Sequence, residues 1–284
     1  MIALLLSPAA AHAQQHADAT YDPRLKSPAY ARAEGPIVAI DAAHANFHTL
    51  DGKYAPFGAL LTADGYQVRA STARFSASAL GGATVLVIAN ARSPAPGASA
   101  FAADEITAIR DWVSGGGALL LISDHAPFGT AASRLAEAFG VNMGTGYVAV
   151  RDGRGVTSQI RYDGRELGQH PIMAGIGSVQ SFTGQSLGVP PGATALLTLP
   201  PDALEVATAE DLEVLKRGGK VAARAAAGRA QAIALPFGKG RIVVAGEAAM
   251  FTEQIIPAVG KVGLRNADDQ QFALNVLHWL SRLR

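Results

Sequence analysis

The chain has 284 residues, of which 49% are hydrophobic and 17% charged, with a formal net charge of +1. That balance describes a globular protein with room for a sizeable core; it excludes a disordered chain, and without a basic tract it excludes a nucleic-acid partner. The absence of cysteine removes a disulfide framework, a thiolate metal site and a cysteine nucleophile.

In chain order, MIALLLSPAAAHAQQ is a short apolar run closing on Ala11-His12-Ala13. The A-x-A pattern reads as a signal peptide over residues 1–13 and predicts an exported, periplasmic protein, although the usual basic start is missing. No segment reaches the ~20 apolar residues of a membrane span. Residues 14–35 are polar and irregular and read as an arm, and 36–284 as the folded domain.

Within that domain PIVAID reads as a strand, YAPFGALLTADGY as a helix stopped by Gly65, and YQVRAS as a second strand. ATVLVIANA is apolar throughout, as strands covered on both faces are. ADEITAIRDWVSGGG places Ile106, Ile109 and Val113 at helical spacing, with acids in its first turn and glycines at its end. ALLLIS is a fourth strand and TAASRLAEAFG another helix. Strand and helix thus alternate over 36–140, which predicts a parallel sheet with helices on both faces. Residues 141–230 are rich in Gly, Pro and Thr with short apolar runs, a β-rich insertion. AQAIALPFGKGRIVVAGE then reads as two strands about a Gly-Lys-Gly turn, and NADDQQFALNVLHWLSRL as a closing helix capped by Asn266.

Ligands of an open parallel sheet bind beyond the carboxyl ends of its strands. Three polar segments follow predicted strands. IDAAHANFHT carries Asp41, His44, Asn46 and His48; SDHAPFG carries Ser123, Asp124 and His125; GEAAMF carries Glu247. If the strands are neighbours, these side chains meet at one rim. His44, His48, Asp124 and His125 are suited to a divalent metal such as zinc, which would activate a water. Asp–His pairing without metal would instead supply a general base, and Ser123 beside a histidine a nucleophile. The plainer reading is that His44 or His48 caps a helix or bonds a carbonyl, that Glu247 caps a turn, and that His278 only packs. Nothing indicates a nucleotide cofactor, because Gly238-Lys239-Gly240 is followed by a strand rather than a helix.

The succession IDAAHANFHT, VLVIANARSP, WVSGGGALLLISDHAPFG, HPIMAGI, SFTGQSL and FGKGRIVVAGEAAMF resembles the class I glutamine-amidotransferase-like superfamily, over roughly residues 36–284. More narrowly it resembles the trehalose-utilisation (ThuA-like) and GIFT-type branches and their exported bacterial relatives. The resemblance implies a flavodoxin-like, doubly wound, mostly parallel sheet, and a role in sugar metabolism or non-catalytic binding. It does not carry glutaminase activity, since the turn after ALLLI holds no cysteine, and Ser123 lacks the flanking glycines of a G-x-S-x-G elbow. The expectation is therefore an exported hydrolase with an optional metal, acting on a small molecule or carbohydrate through Asp41, His44, Asp124, His125 and Glu247. The alternative is a binding domain for a carbohydrate or a cell-envelope partner.

Overall fold

The computed structural model describes residues 15–257 and 259–283, so the expected signal peptide lies outside the described residues. Seven strands form the central sheet: β1 (Ile37–Asp41), β2 (Gln67–Ser71), β3 (Val85–Ala89), β4 (Ala118–Ile122), β5 (Thr194–Thr198), β6 (Ala230–Phe237) and β7 (Gly240–Ala245). Their spatial order is β5-β6-β7-β4-β3-β1-β2. β2, β1, β3, β4 and β7 run parallel to one another. β6 returns antiparallel to β7 through the tight turn at Gly238-Lys239, and β5 is antiparallel to β6.

The helices are α1 (Ala55–Ala63), α2 (Ala77–Leu80), α3 (Ala103–Ser114), α4 (Phe128–Glu137), α5 (Ala209–Lys216) and α6 (Asp269–Leu280). Alternate residues of the apolar strands feed two cores. Val85, Val87, Leu120 and Ile122 pack with Phe57 and Leu60 of α1 and with Phe272 and Leu277 of α6. Leu86, Ile88, Leu119 and Leu121 pack with Ile109 and Val113 of α3 and Leu135 of α4. Each such side chain contributes about 1.5–3 kcal/mol by leaving water, which is why these uniformly apolar strands sit at the centre. At Gly65, φ is +92° and a Cβ would run into the Tyr30 carbonyl, so α1 can end only on glycine.

The expectation of a flavodoxin-like, mostly parallel sheet is corrected. The central sheet is mixed, and three further antiparallel assemblies accompany it. Ala223–Ala225, Leu204–Val206, Tyr147–Asp152 and Gly155–Thr157 make a four-stranded sheet. Ile160–Asp163 pairs with Ser178–Ser181. His16–Ala17 pairs with Glu253–Ile256, which pairs with Gly260–Gly263. Connection length accounts for part of this: Phe237 to Gly240, Asp152 to Gly155 and Ile256 to Gly260 are tight turns, which return the chain antiparallel, whereas a parallel pair needs a long crossover; the other antiparallel pairs meet through longer connections. α6 also starts later than expected. The Asn266 side chain accepts from the Gly263 amide and does not cap the helix.

Candidate functional site

β1, β3, β4 and β7 run in one direction, and Ala89, Ile122 and Ala245 stand side by side at their carboxyl ends. The residues that follow them therefore emerge at one edge. They are the Asp41–His48 segment, Asn90, Ser123 to His125, and Glu247.

His44 does not join the others. Its Nδ1 lies 2.9 Å from both oxygens of Asp41, and its Nε2 lies 3.0 Å from Glu105 Oε1 of α3. The ring stacks on Phe75 and meets the tilted ring of Phe101, at 4.7 and 4.8 Å between centroids. Asp41 also accepts from the Ala43 amide and the Asn46 side chain, and Glu105 from Arg74 and the amides of Phe75 and Ala102. Burial opposes charging of the imidazole, yet the two carboxylates outweigh it and raise its pKa. Burial likewise opposes ionisation of Glu105, but Arg74, the two amides and His44 pull its pKa down to about 2. The result is a cationic clasp that ties the loop after β1 to α3.

Of the predicted residues, His48, Asp124, His125 and Glu247 line a cavity of about 400 Å³, whereas Asp41 stays with His44 outside its lining. His48, Asn90, Asp124, His125, Thr183 and Glu247 supply its polar wall, and Phe47, Phe128 and Phe182 its apolar wall. Asn90 organises the polar wall. The Asp124 amide donates to Asn90 Oδ1 at 2.8 Å, so the other branch is the NH2, which donates to His48 Nδ1 at 3.1 Å. His48 therefore carries its proton on Nε2. Burial, with Lys53, Arg92 and His125 nearby, lowers its pKa to about 3, so the ring is neutral. His125 is turned the other way: its Nδ1 donates to the Ala126 carbonyl at 2.8 Å, and its Nε2 lies 3.9 Å from Asp124 Oδ1. Tyr147 stacks on this ring at 4.3 Å. Glu247 is fully buried. Burial and the adjacent Asp124 raise its pKa well above the carboxylate range, against the amides of Ala249 and Met250 that donate to it at 2.8 Å. Glu247 is thus held protonated in the cavity that His125 also lines.

Among the described residues no group of three or more His, Asp or Glu side chains is placed to hold a metal ion. Both nitrogens of His44 are committed to carboxylates, and His48 Nδ1 to Asn90. The residues expected as metal ligands do not fit that role together. Ser123 is 1% exposed, and its buried Oγ has no hydrogen-bond partner. His278 lies apart, 2.6 Å from Asp64 at the far end of α1. Sequence reasoning missed Asn90, although it follows VLVIA as directly as Ser123 follows ALLLI. The strand-end rule applied to every strand would have found it.

The profile of the family described as Domain of unknown function (DUF4350) matches residues 54–277. The chain belongs to that family. The matched span contains Asn90, Asp124, His125 and Glu247 but begins after His44 and His48. No curated protein matches the chain. Its fold is similar to a solved structure described as the mmIFT52 N-terminal domain, at 14% identity over 86% of this chain and 97% of that one, with a TM-score of 0.64. It is also similar to a structure described as thua-like, from Parabacteroides merdae ATCC 43184, at 11% identity over 88% of this chain and 91% of that one, with a TM-score of 0.51. At such identities the likeness extends to the fold alone. No helix among the described residues is long and apolar enough to cross a membrane.

Proposed function

We propose that this member of the family is a hydrolase that works by general acid–base chemistry in the Asn90 cavity. One observation carries the reading: Glu247, a buried carboxyl held protonated, and His125, whose Nδ1 is committed to the Ala126 carbonyl, line one cavity. A carboxyl kept protonated by its environment is how a site holds a general acid near neutral pH. In this scheme His125 Nε2 takes a proton from water as its oxygen adds to the electrophilic centre. Asp124 faces the imidazolium that forms. Glu247 gives its proton to the leaving group as the scissile bond breaks. The neutral His48 Nε2–H donates to charge developing on the electrophile. No metal enters the scheme.

On the leader pattern we place this activity outside the cytoplasm. On the motifs of the chain we also propose kinship with the class I amidotransferase-like superfamily and its ThuA-like branch, which the fold likeness to a thua-like structure supports. The substrate class of that branch, sugars, is then the first to try.

The test is a panel of chromogenic glycosides, esters and anilides assayed across pH. Turnover should fall by about 10²-fold or more in Glu247→Gln and in His125→Gln, the usual scale for an acid–base group. Absence of turnover across the panel in folded protein, with sugars still protecting the cavity from hydrogen exchange, would install the binding-domain reading instead.

A further inference from the structure

Phe47, in the cavity wall, carries two cations that pair with no acid among the described residues. Lys53 Nζ lies 3.4 Å from the centre of the Phe47 ring, and the Arg92 guanidinium carbon 5.0 Å from it. Among the described residues neither side chain makes an ion pair with a carboxylate. Phe47 and Arg92 both line the cavity. Arg92 also lines an adjoining groove of about 550 Å³, bounded by Ser93–Ala98 and by Pro127, Phe128 and Ala131. It therefore stands where the two spaces meet. The α4 amino end shares that wall, and its first turn holds no acid.

Two cations on one ring repel each other. Burial and Arg92 together lower the Lys53 pKa to about 8. Other basic side chains near this chain's buried acids are paired: Lys261 and Arg265 sit on Asp18, Arg74 on Glu105 and Arg224 on Glu205. At the mouth the ring supplies a weak cation–π partner and nothing neutralises the charge. An incoming anion would do so, and would meet the guanidinium fork and the ammonium together.

We propose that the ligand of this cavity carries an anionic group, a carboxylate or a phosphate, and that Lys53 and Arg92 bind it at the mouth while the rest of the molecule enters between Phe47, Phe128 and Phe182. The proposal rests on the cavity being the ligand site, as in the hydrolase reading, and adds the charge of what it takes.

Benzoate, benzamide and inorganic phosphate are the probes, titrated by calorimetry and by NMR into the full chain at low salt. Benzoate should bind at least about fivefold more tightly than benzamide, and Arg92→Gln and Lys53→Gln should each weaken benzoate by up to about tenfold while leaving benzamide unchanged, the scale of one charged hydrogen bond. Raising the salt should mimic the substitutions. Phosphate competing with benzoate more strongly than acetate does would assign a phosphate to the ligand, and the reverse a carboxylate. Equal binding of benzoate and benzamide, or benzoate binding unmoved in both variants, overturns the proposal. Charge-selective binding in a protein without hydrolytic activity would sink the hydrolase reading and leave this one standing. An active hydrolase whose KM for an acidic substrate ignores Arg92→Gln would do the reverse.

Discussion

His44 and His48 leave the same strand four residues apart and end in opposite states. His44 is clamped between two carboxylates and holds its proton. His48 is packed against Tyr54 and Phe47, accepts from an amide, and stays neutral. Both rings are almost fully buried, so burial alone does not separate them. The partners do. An imidazole facing carboxylates becomes a cation that fixes structure; one facing an amide keeps a lone N–H for chemistry. Two histidines in one motif therefore need not share one task.

The comparison breaks first on stability. His44→Ala leaves Asp41 and Glu105 without the charge they share, and should cost about 3–5 kcal/mol in urea unfolding, the scale for orphaning a buried ion partner. His48→Gln removes a neutral ring and should cost only about 1–2 kcal/mol. Similar costs for the two would dissolve the distinction. Function should sort the opposite way. Asp124→Asn should reduce any turnover by about 10²-fold with little change in melting, because it strips the His125 imidazolium of its counter-charge. His44→Gln, once shown to fold, should retain most of the activity.

A pH series sharpens the contrast. The His44 pKa is raised on folding, so its contribution is complete below the ordinary value of about 6.5 and is lost as pH rises through the folded value. The Glu105 pKa falls from 4.5 to about 2, so its contribution is complete above 4.5 and is lost as pH falls towards 2. The stability difference between wild type and His44→Gln should therefore be greatest between about pH 4.5 and 6.5 and shrink on either side. A difference flat from pH 4 to 9 would show that the clasp is not ionic. The smallest effect belongs to Ser123. Its hydroxyl is buried without a partner, so Ser123→Ala should leave activity intact and change stability by no more than about 1 kcal/mol, in the stabilising direction. Labelling of Ser123 by a covalent serine probe would reverse that assignment.

The apolar runs PIVAI, VLVIA and ALLLI told in advance which strands lie at the centre and where their polar ends emerge, because strands covered on both faces carry an unbroken apolar signal. The GKG turn was legible as a hairpin, and it already implies an antiparallel pair in the sheet. The fate of His44 was not legible. Glu105, which decides it, lies 61 residues further on, in a helix whose acids read simply as complements to its dipole. The α5 helix was also passed over, although Thr208 caps it through the Asp211 amide. It is two turns long, with only Leu212 and Leu215 buried, and a stripe that short is hard to separate from a Gly- and Pro-rich neighbourhood.

Asn90 also constrains how this cavity can change. Its φ is +47°, a conformation that few residues other than glycine, asparagine and aspartate adopt readily. Glycine would keep the turn and lose both hydrogen bonds. Aspartate would still accept from the Asp124 amide but could not donate to His48 Nδ1, and would ask that ring to take up a proton or switch tautomer. Position 90 thus has almost no neutral neighbours in sequence space. A mutant library aimed at new specificity should hold it fixed and vary the three phenylalanines, where shape can drift without rewiring the polar wall.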